Sequence, residues 1–353
     1  MAKLRVGLVG CGRIAQLVHL PLLMRLPDVE LTALAESDPA RREEAARRAP
    51  RAAVHPTHAE LLADPSVEAV LICLPNALHH HAAIDALDAG KHVYLEKPLA
   101  TDLGDARSVL DVWRRSGLVG MIGFNYRFNP LHQSARRHIE RKIVGEIVGA
   151  RSIFSSAARE LPEWKKNRQT GGGVLLDFAS HHVDLMRYFF RQEIQQVYAE
   201  LRSQRSEEDS ATLELRLTDS TLVQSFFTTS ALDEDRFEFY GTNGKLTFDR
   251  HLSRSVEITD AARTMIEVKR LRQACESLAR NPPLFGRFLG GGNEPSFARA
   301  VAHFVAAVRG EVKASPDFED GYRSLAVIAA AEESAGTGRA VRVSSFDDED
   351  SAR

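Results

Sequence analysis

The sequence predicts an α/β protein, with an N-terminal Rossmann-type, doubly wound parallel sheet followed by an α+β region on an open, mainly antiparallel sheet. Three observations carry this. Over the first 123 residues, short runs that are apolar at every position alternate with helical patterns, as parallel strands covered on both faces require. A glycine turn, Gly10-Cys11-Gly12, joins the first run to the first helix. Beyond residue 190 the strands follow one another without helices, and Ala211, Leu213, Leu215 and Leu217 alternate with Thr212, Glu214 and Arg216, so one face of that strand is wet or interfacial.

Taken in order, strands are predicted at 5–9, 30–35, 69–74, 92–95 and 119–124. Helices are predicted at 14–26, 39–48, 58–63, 79–89 and 105–115. The second region opens with a helix at 131–141, an extended segment at 149–156 and a long helix at 174–190. A hairpin is predicted at 237–240 and 245–248 around Gly241-Thr-Asn-Gly244, because Asn-Gly tolerates positive φ. A Pro/Gly-rich loop fills 281–295, and amphipathic helices follow at about 295–308 and 318–335. The reading is thus 1–123 for the nucleotide-binding unit, 124–345 for the second unit, and a disordered tail at 346–353.

Bulk properties narrow the function. The chain of 353 residues carries 46 Lys+Arg against 48 Asp+Glu, so no basic field exists to hold nucleic acid or an anionic membrane. Three cysteines, Cys11, Cys73 and Cys275, are too few and too scattered for a disulfide framework. No apolar run reaches the roughly 20 residues that a membrane-spanning helix needs, and the N-terminus enters a strand without a leader pattern. A cytoplasmic location is the default expectation.

The chemistry-bearing residues cluster at predicted strand ends and on one helix. In Gly10-Cys-Gly12-Arg13-Ile14-Ala15, Gly10 makes the tight turn, Gly12 lets the backbone approach a pyrophosphate, and Ala15 packs helix on strand. The anion would sit at the helix N-terminus. Glu36, 24 positions beyond Gly12, suits the ribose hydroxyls and repels a 2′-phosphate, favouring NAD over NADP. Ser37, Arg41 and Arg42 close behind it leave NADP open. Leu74, Pro75, Asn76 and His79 follow the strand at 69–74, where open α/β sheets bind ligands. The run His79–His81 does not suit a metal, since adjacent helical side chains diverge by about 100°.

Glu96-Lys97-Pro98 lies at another strand end, where an ammonium could stabilise a reacting oxygen. On the helix at 174–190, Asp177 and His181 are four apart and share a face. Asp184 lies near that face and His182 points elsewhere. An imidazole titrating near neutrality suits a hydroxyl proton, and Asp177 could orient it or hold a substrate hydroxyl. Read without function, the same pair is a structural Asp–His contact on a partly buried helix. Tyr126, Arg127, Trp164, Lys165 and Arg168 flank the site in sequence and suit polyols or anionic sugars; the 164–168 segment reads equally as a solvated loop.

Together GCGRIA, LPNALH, EKP, GFNYRF (123–128) and GGGVLLDFASHHVDLMRYF resemble the Gfo/Idh/MocA oxidoreductase family, in order over roughly residues 3–343. The resemblance implies a nicotinamide cofactor, a catalytic Lys97 with Asp177 and His181 on a helix, and nicotinamide-side contacts at Asn76 and Glu96. It further implies a sugar, sugar acid, cyclitol or nucleotide-sugar substrate. A homodimer or homotetramer built on the second sheet is also implied, although the Thr212/Glu214/Arg216 face suits it less well than an apolar one. Two other readings stand beside a reversible dehydrogenase: a redox-neutral NAD-using epimerase, lyase or glycosidase, and a non-catalytic sugar or nucleotide sensor.

Overall fold

The computed structural model describes residues 2–260 and 295–344; the predicted loop up to residue 294, Cys275 and the tail at 346–353 lie outside them. Six parallel strands form the first sheet: β1 Leu4–Val9, β2 Val29–Ala35, β3 Ala53–His55, β4 Ala69–Ile72, β5 His92–Leu95 and β6 Gly120–Ile122. Their order is β3-β2-β1-β4-β5-β6. The order reverses between β1 and β4, which opens a crevice at the carboxyl ends of the strands. Buried apolar runs such as Ala69–Ile72, closed to solvent on both faces, account for the parallel pairing. The helices α2 Pro39–Arg48, α3 His58–Leu62, α4 His79–Asp88 and α5 Leu103–Ser116 connect the strands.

The helix that follows the glycine turn is a π turn, Ala15–His19, running into a short α1, Leu20–Leu23. A second π turn, Leu175–Ala179, opens the long helix of the second region and continues as α7 Ser180–Phe190. Both were expected as plain α-helix. Periodicity does not separate the two forms, because each π turn is a single local insertion, too short to set a period of its own within a helical stretch.

The second sheet has eight strands: β7 Ile147–Ser155, β8 Ile194–Arg202, β9 Ser210–Leu217, β10 Leu222–Thr228, β11 Glu234–Gly241, β12 Gly244–Asp249, β13 Glu257–Asp260 and β14 Val341–Arg342. Their order is β13-β12-β11-β7-β10-β9-β8-β14. Only β7 and β10 pair parallel; the other neighbours are antiparallel. The inner face, with Val197, Leu213, Leu215, Val223, Phe227, Phe237 and Phe239, is buried against α7 and α9 Phe318–Thr337. The outer face carries Thr212, Glu214 and Arg216 in the open, as the alternation predicts. Strands β3, β8, β10, β13 and β14 lacked a distinct sequence signal; β14 is two residues long and is ordered by its pairing with β8.

The 241–244 hairpin forms, with Gly241 opposite Gly244, but for another reason than expected. Neither Asn243 nor Gly244 adopts positive φ. A Cβ on Gly244 would instead strike the Thr259 carbonyl of the adjacent strand, so glycine is needed for close approach.

The chain interleaves between the sheets. Helix α6 Pro130–Glu140 packs on α7. Helix α8 Pro295–Val308, late in the chain, sends Ala300, Val301, Phe304 and Val305 into the core of the first sheet, beside Leu8, Tyr94 and Met121. The expected boundary near residue 123 is therefore crossed in space by α8. Among the described residues no helix is long and apolar enough to cross a membrane.

Candidate active site

The crevice is built first from the glycine turn. Gly10 adopts φ +86°, and a Cβ there would lie 2.7 Å from the Cys73 carbonyl oxygen. Gly12 meets nothing within 4 Å at its Cβ position, so the turn leaves open space where a dinucleotide would approach. The helix beyond begins at Arg13, directly after Gly12, so its first N–H groups face the turn, where an anion would sit. Glu36, nearly buried, accepts the Cys11 N–H at 2.7 Å and the Asp38 N–H at 3.0 Å. It thereby braces the glycine turn, and a carboxylate has further acceptor capacity for ribose hydroxyls. Arg42 donates to the Glu36 and Ser37 carbonyls, while Arg41 lies 3.5 Å from the Glu36 carboxylate. Burial pushes the Cys11 thiol up to about 12, so it stays protonated. These residues fit an NAD-type dinucleotide.

The carboxyl ends of β4 and β5 supply the next groups. Asn76 donates to the Gly171 carbonyl at 2.7 Å, linking the first sheet to the glycine run of the second region. Gly171 adopts φ +93°, and a Cβ on it would sit 2.5 Å from the Asn76 Cβ. His79 is fully buried, its ring 2.6 Å from the Pro98 carbonyl and 2.9 Å from the Leu74 carbonyl. It ties together the two loops that carry Leu74-Pro75 and Lys97-Pro98, out of a ligand's reach. Glu96 lies 2.6 Å from His19 of the first π turn, and Gly123 leaves it room, since a Cβ there would be 2.9 Å from Glu96 Oε2. His19 had no motif signal; its position seven residues after Gly12 places it facing β5.

Lys97 and the second π turn meet. Lys97 Nζ donates to the Asp177 carbonyl at 2.7 Å and to its carboxylate at 3.0 Å. Lys165 Nζ donates to the other carboxylate oxygen at 2.8 Å. Burial lowers the Lys97 pKa, against the pull of Asp177. Burial alone would raise Asp177; Lys165 and Lys97 outweigh it and hold the carboxyl well below its usual range. His181 follows one turn later, stacked on Tyr126 at 4.3 Å and 16° with Phe124 edge-on. Its Nδ1 is buried and has no hydrogen-bond partner among the described residues. Burial and then the Lys97 charge depress His181 well below 6.5. The expectation of a near-neutral imidazole is thereby corrected, and Asp177 is committed to two lysines.

The remaining sequence candidates divide. Tyr126 and Lys165 sit within the cluster. Trp164 shares the Glu163–Lys165 turn, with Lys165 Nζ 5.4 Å from its ring centroid. Arg127 is spent on Asp184 and Asp320 in a buried network that also holds Arg187. That network explains Asp184 as an anchor between α7 and α9. Arg168 is held by Glu332 and the Thr101 carbonyl. His182 does point away from the cleft and pairs with the fully buried Asp235 at 3.1 Å.

A glycine turn at the carboxyl end of a parallel sheet, set against a second and mainly antiparallel sheet, marks a Rossmann-type protein of two-sheet architecture. The chain belongs to the Gfo/Idh/MocA oxidoreductase family. The family's NAD-binding Rossmann fold matches residues 4–124 and its C-terminal domain residues 132–247. The chain is 31% identical to the 1,5-anhydro-D-fructose reductase of Ensifer adhaerens, over 80% of this chain and 82% of that protein. It is 27% identical to the myo-inositol 2-dehydrogenase of Thermotoga maritima, over 73% and 78%. A levoglucosan dehydrogenase in complex with NADH and L-sorbose shares the fold, with TM-score 0.84 at 24% identity, covering 98% of this chain and all of that one.

Proposed function

We propose that the protein is a reversible, NAD-dependent dehydrogenase acting on a secondary hydroxyl of a sugar, sugar acid, cyclitol or nucleotide sugar. The observation that carries this is the meeting of Lys97, from the end of β5, with Asp177 and His181, from the π turn and helix of the second region. The relatives named above act on a sugar derivative and a cyclitol, and the family's first unit is NAD-binding. NAD is favoured over NADP because Glu36 would face a 2′-phosphate as a like charge.

Bound NAD supplies the hydride acceptor. The chain's own residues handle the oxygen and the proton. Lys97 uses two of its three N–H donors on Asp177, which leaves one for the reacting oxygen. Asp177 favours the charged form of Lys97 against burial and fixes its direction. His181, unprotonated, accepts the hydroxyl proton in oxidation and returns it in reduction. Glu96 and His19 hold the strand end that presents Lys97.

The test is Lys97→Met with NADH binding and turnover measured in parallel over a panel of sugars, sugar acids and cyclitols. NADH affinity stays within about twofold of wild type, while kcat/KM falls by about 10²-fold or more. Wild-type-like turnover in this variant sinks the assignment. Product formation without any change in nicotinamide absorbance would instead identify redox-neutral chemistry.

A further inference from the structure

We propose that Arg250 and Tyr126 are positioning residues for His181: the Tyr126 ring carries the imidazole stacked on it, and the Arg250 guanidinium over the same ring discourages a proton from settling there. The inference rests on His181 acting as the proton acceptor in the function proposed above.

Three observations lead to it. First, His181 Nδ1 has no hydrogen-bond partner among the described residues, so no hydrogen bond through that atom orients the ring. Its closest aromatic partner is Tyr126, 4.3 Å away and nearly parallel. Second, Arg250 lies 4.4 Å from the Tyr126 centroid, a cation–π distance. Third, Arg250 is itself pinned from behind. Its Nε donates to Asp235 Oδ2 at 2.6 Å and its backbone N–H to the Asp235 carbonyl at 2.8 Å. Asp235 lies on β11 and Arg250 follows β12, so the hairpin of the second sheet aims the guanidinium.

The charges around His181 come from every side. Lys97 reaches it from β5, Asp177 from the π turn, Arg250 from the hairpin and His182 from its own helix. Each anion is already taken: Asp177 by Lys97 and Lys165, Asp235 by Arg250 and His182. His132, behind Tyr126, bonds the Tyr126 carbonyl and is held down to about 4 by burial. A proton added to His181 therefore meets two cations, Lys97 and Arg250, with no uncommitted carboxylate. A buried Arg–Asp pair could serve the fold alone, so the test must read His181 itself.

The experiment is histidine-ring NMR titration of the full-length protein without cofactor or substrate, beside kcat/KM against pH. In Arg250→Met the His181 midpoint moves up and kcat/KM falls about tenfold or more, with NADH affinity unchanged. Arg250→Lys, which keeps the charge but loses the flat face, leaves the midpoint near wild type and lowers kcat. Tyr126→Leu breaks the stack and lowers kcat with KM unchanged. A His181 midpoint in Arg250→Met equal to wild type overturns the proposal; if that variant fails to fold, wild-type kcat in both Arg250→Lys and Tyr126→Leu does so. Because the titration needs no substrate, it succeeds or fails separately from the sugar assignment, which falls if the wild-type protein turns over nothing in the panel.

Discussion

At the scale of single residues, identical side chains take opposite roles by environment. Asp177 is a partly exposed carboxylate facing two lysines in the cleft, whereas Asp235 is fully buried and faces an arginine and a histidine behind it. The two glycines of the first turn also differ, and the difference is measurable. Gly12→Ala meets no protein atom and leaves melting temperature nearly unchanged, while NADH affinity falls by at least about tenfold as the methyl enters the nucleotide's approach. Gly10→Ala forces φ +86° and a 2.7 Å contact, costing about 1–3 kcal/mol of stability before any ligand is added. Equal thermal losses in the two variants would contradict this division. The glycine fingerprint was legible in sequence from its strand–turn–helix context, and Lys97 from its place at a strand end, its proposed role coming from the family resemblance. The commitments of Arg127, Arg168 and Asp184 were not, because Arg127 meets Asp184 and Asp320, and Arg168 meets Glu332, only when segments distant in the chain pack together.

At the scale of elements, both π turns stand where a helix must present a functional group: one after the nucleotide turn and one bearing Asp177. The extra residue in each turn widens the helix and redirects a side chain, so Asp177 turns toward Lys97 while His181 stays on Tyr126. The four-residue spacing alone predicted only that Asp177 and His181 would share a face. The outer face of the second sheet exposes Leu222 and Phe226 between polar residues, which supports its covering by a second copy of the chain. Sedimentation should therefore give at least a dimer, and Phe226→Glu should shift it toward monomer by placing a charge in the buried face. A monomer at micromolar wild-type concentration would remove that assembly.

At the scale of the whole molecule, the buried histidines set the acid limit. His79, His132, His181 and His182 all have folded-state pKa values lowered first by burial. In the unfolded chain each takes up a proton near 6.5, so the stability they contribute is present above that pH and lost as pH falls through their folded values. For His132, from 6.5 to about 4, the loss is roughly 3 kcal/mol once titration is complete. Melting temperature should fall between pH 6.5 and 4, with the loss reduced in His132→Gln if that side chain is accommodated. Asp177 and Asp235, whose pKa values are lowered instead, act below this window. A flat melting temperature from pH 7 to 4 would refute the account.

The sequence by itself determined the two-sheet class, the nucleotide turn, the strand-end lysine and the helix-borne Asp and His. Each is a local pattern: continuous apolar runs, glycine at a strict turn, polar residues at element ends. Only the tertiary structure decided which charges meet. It gave Lys165 to Asp177, Glu96 to His19 and Arg250 to Tyr126, and it brought α8 back onto the first sheet. Those pairings join segments from 12 to 278 residues apart, and nothing in local periodicity encodes a distance that arises only when two independently patterned surfaces are buried against each other.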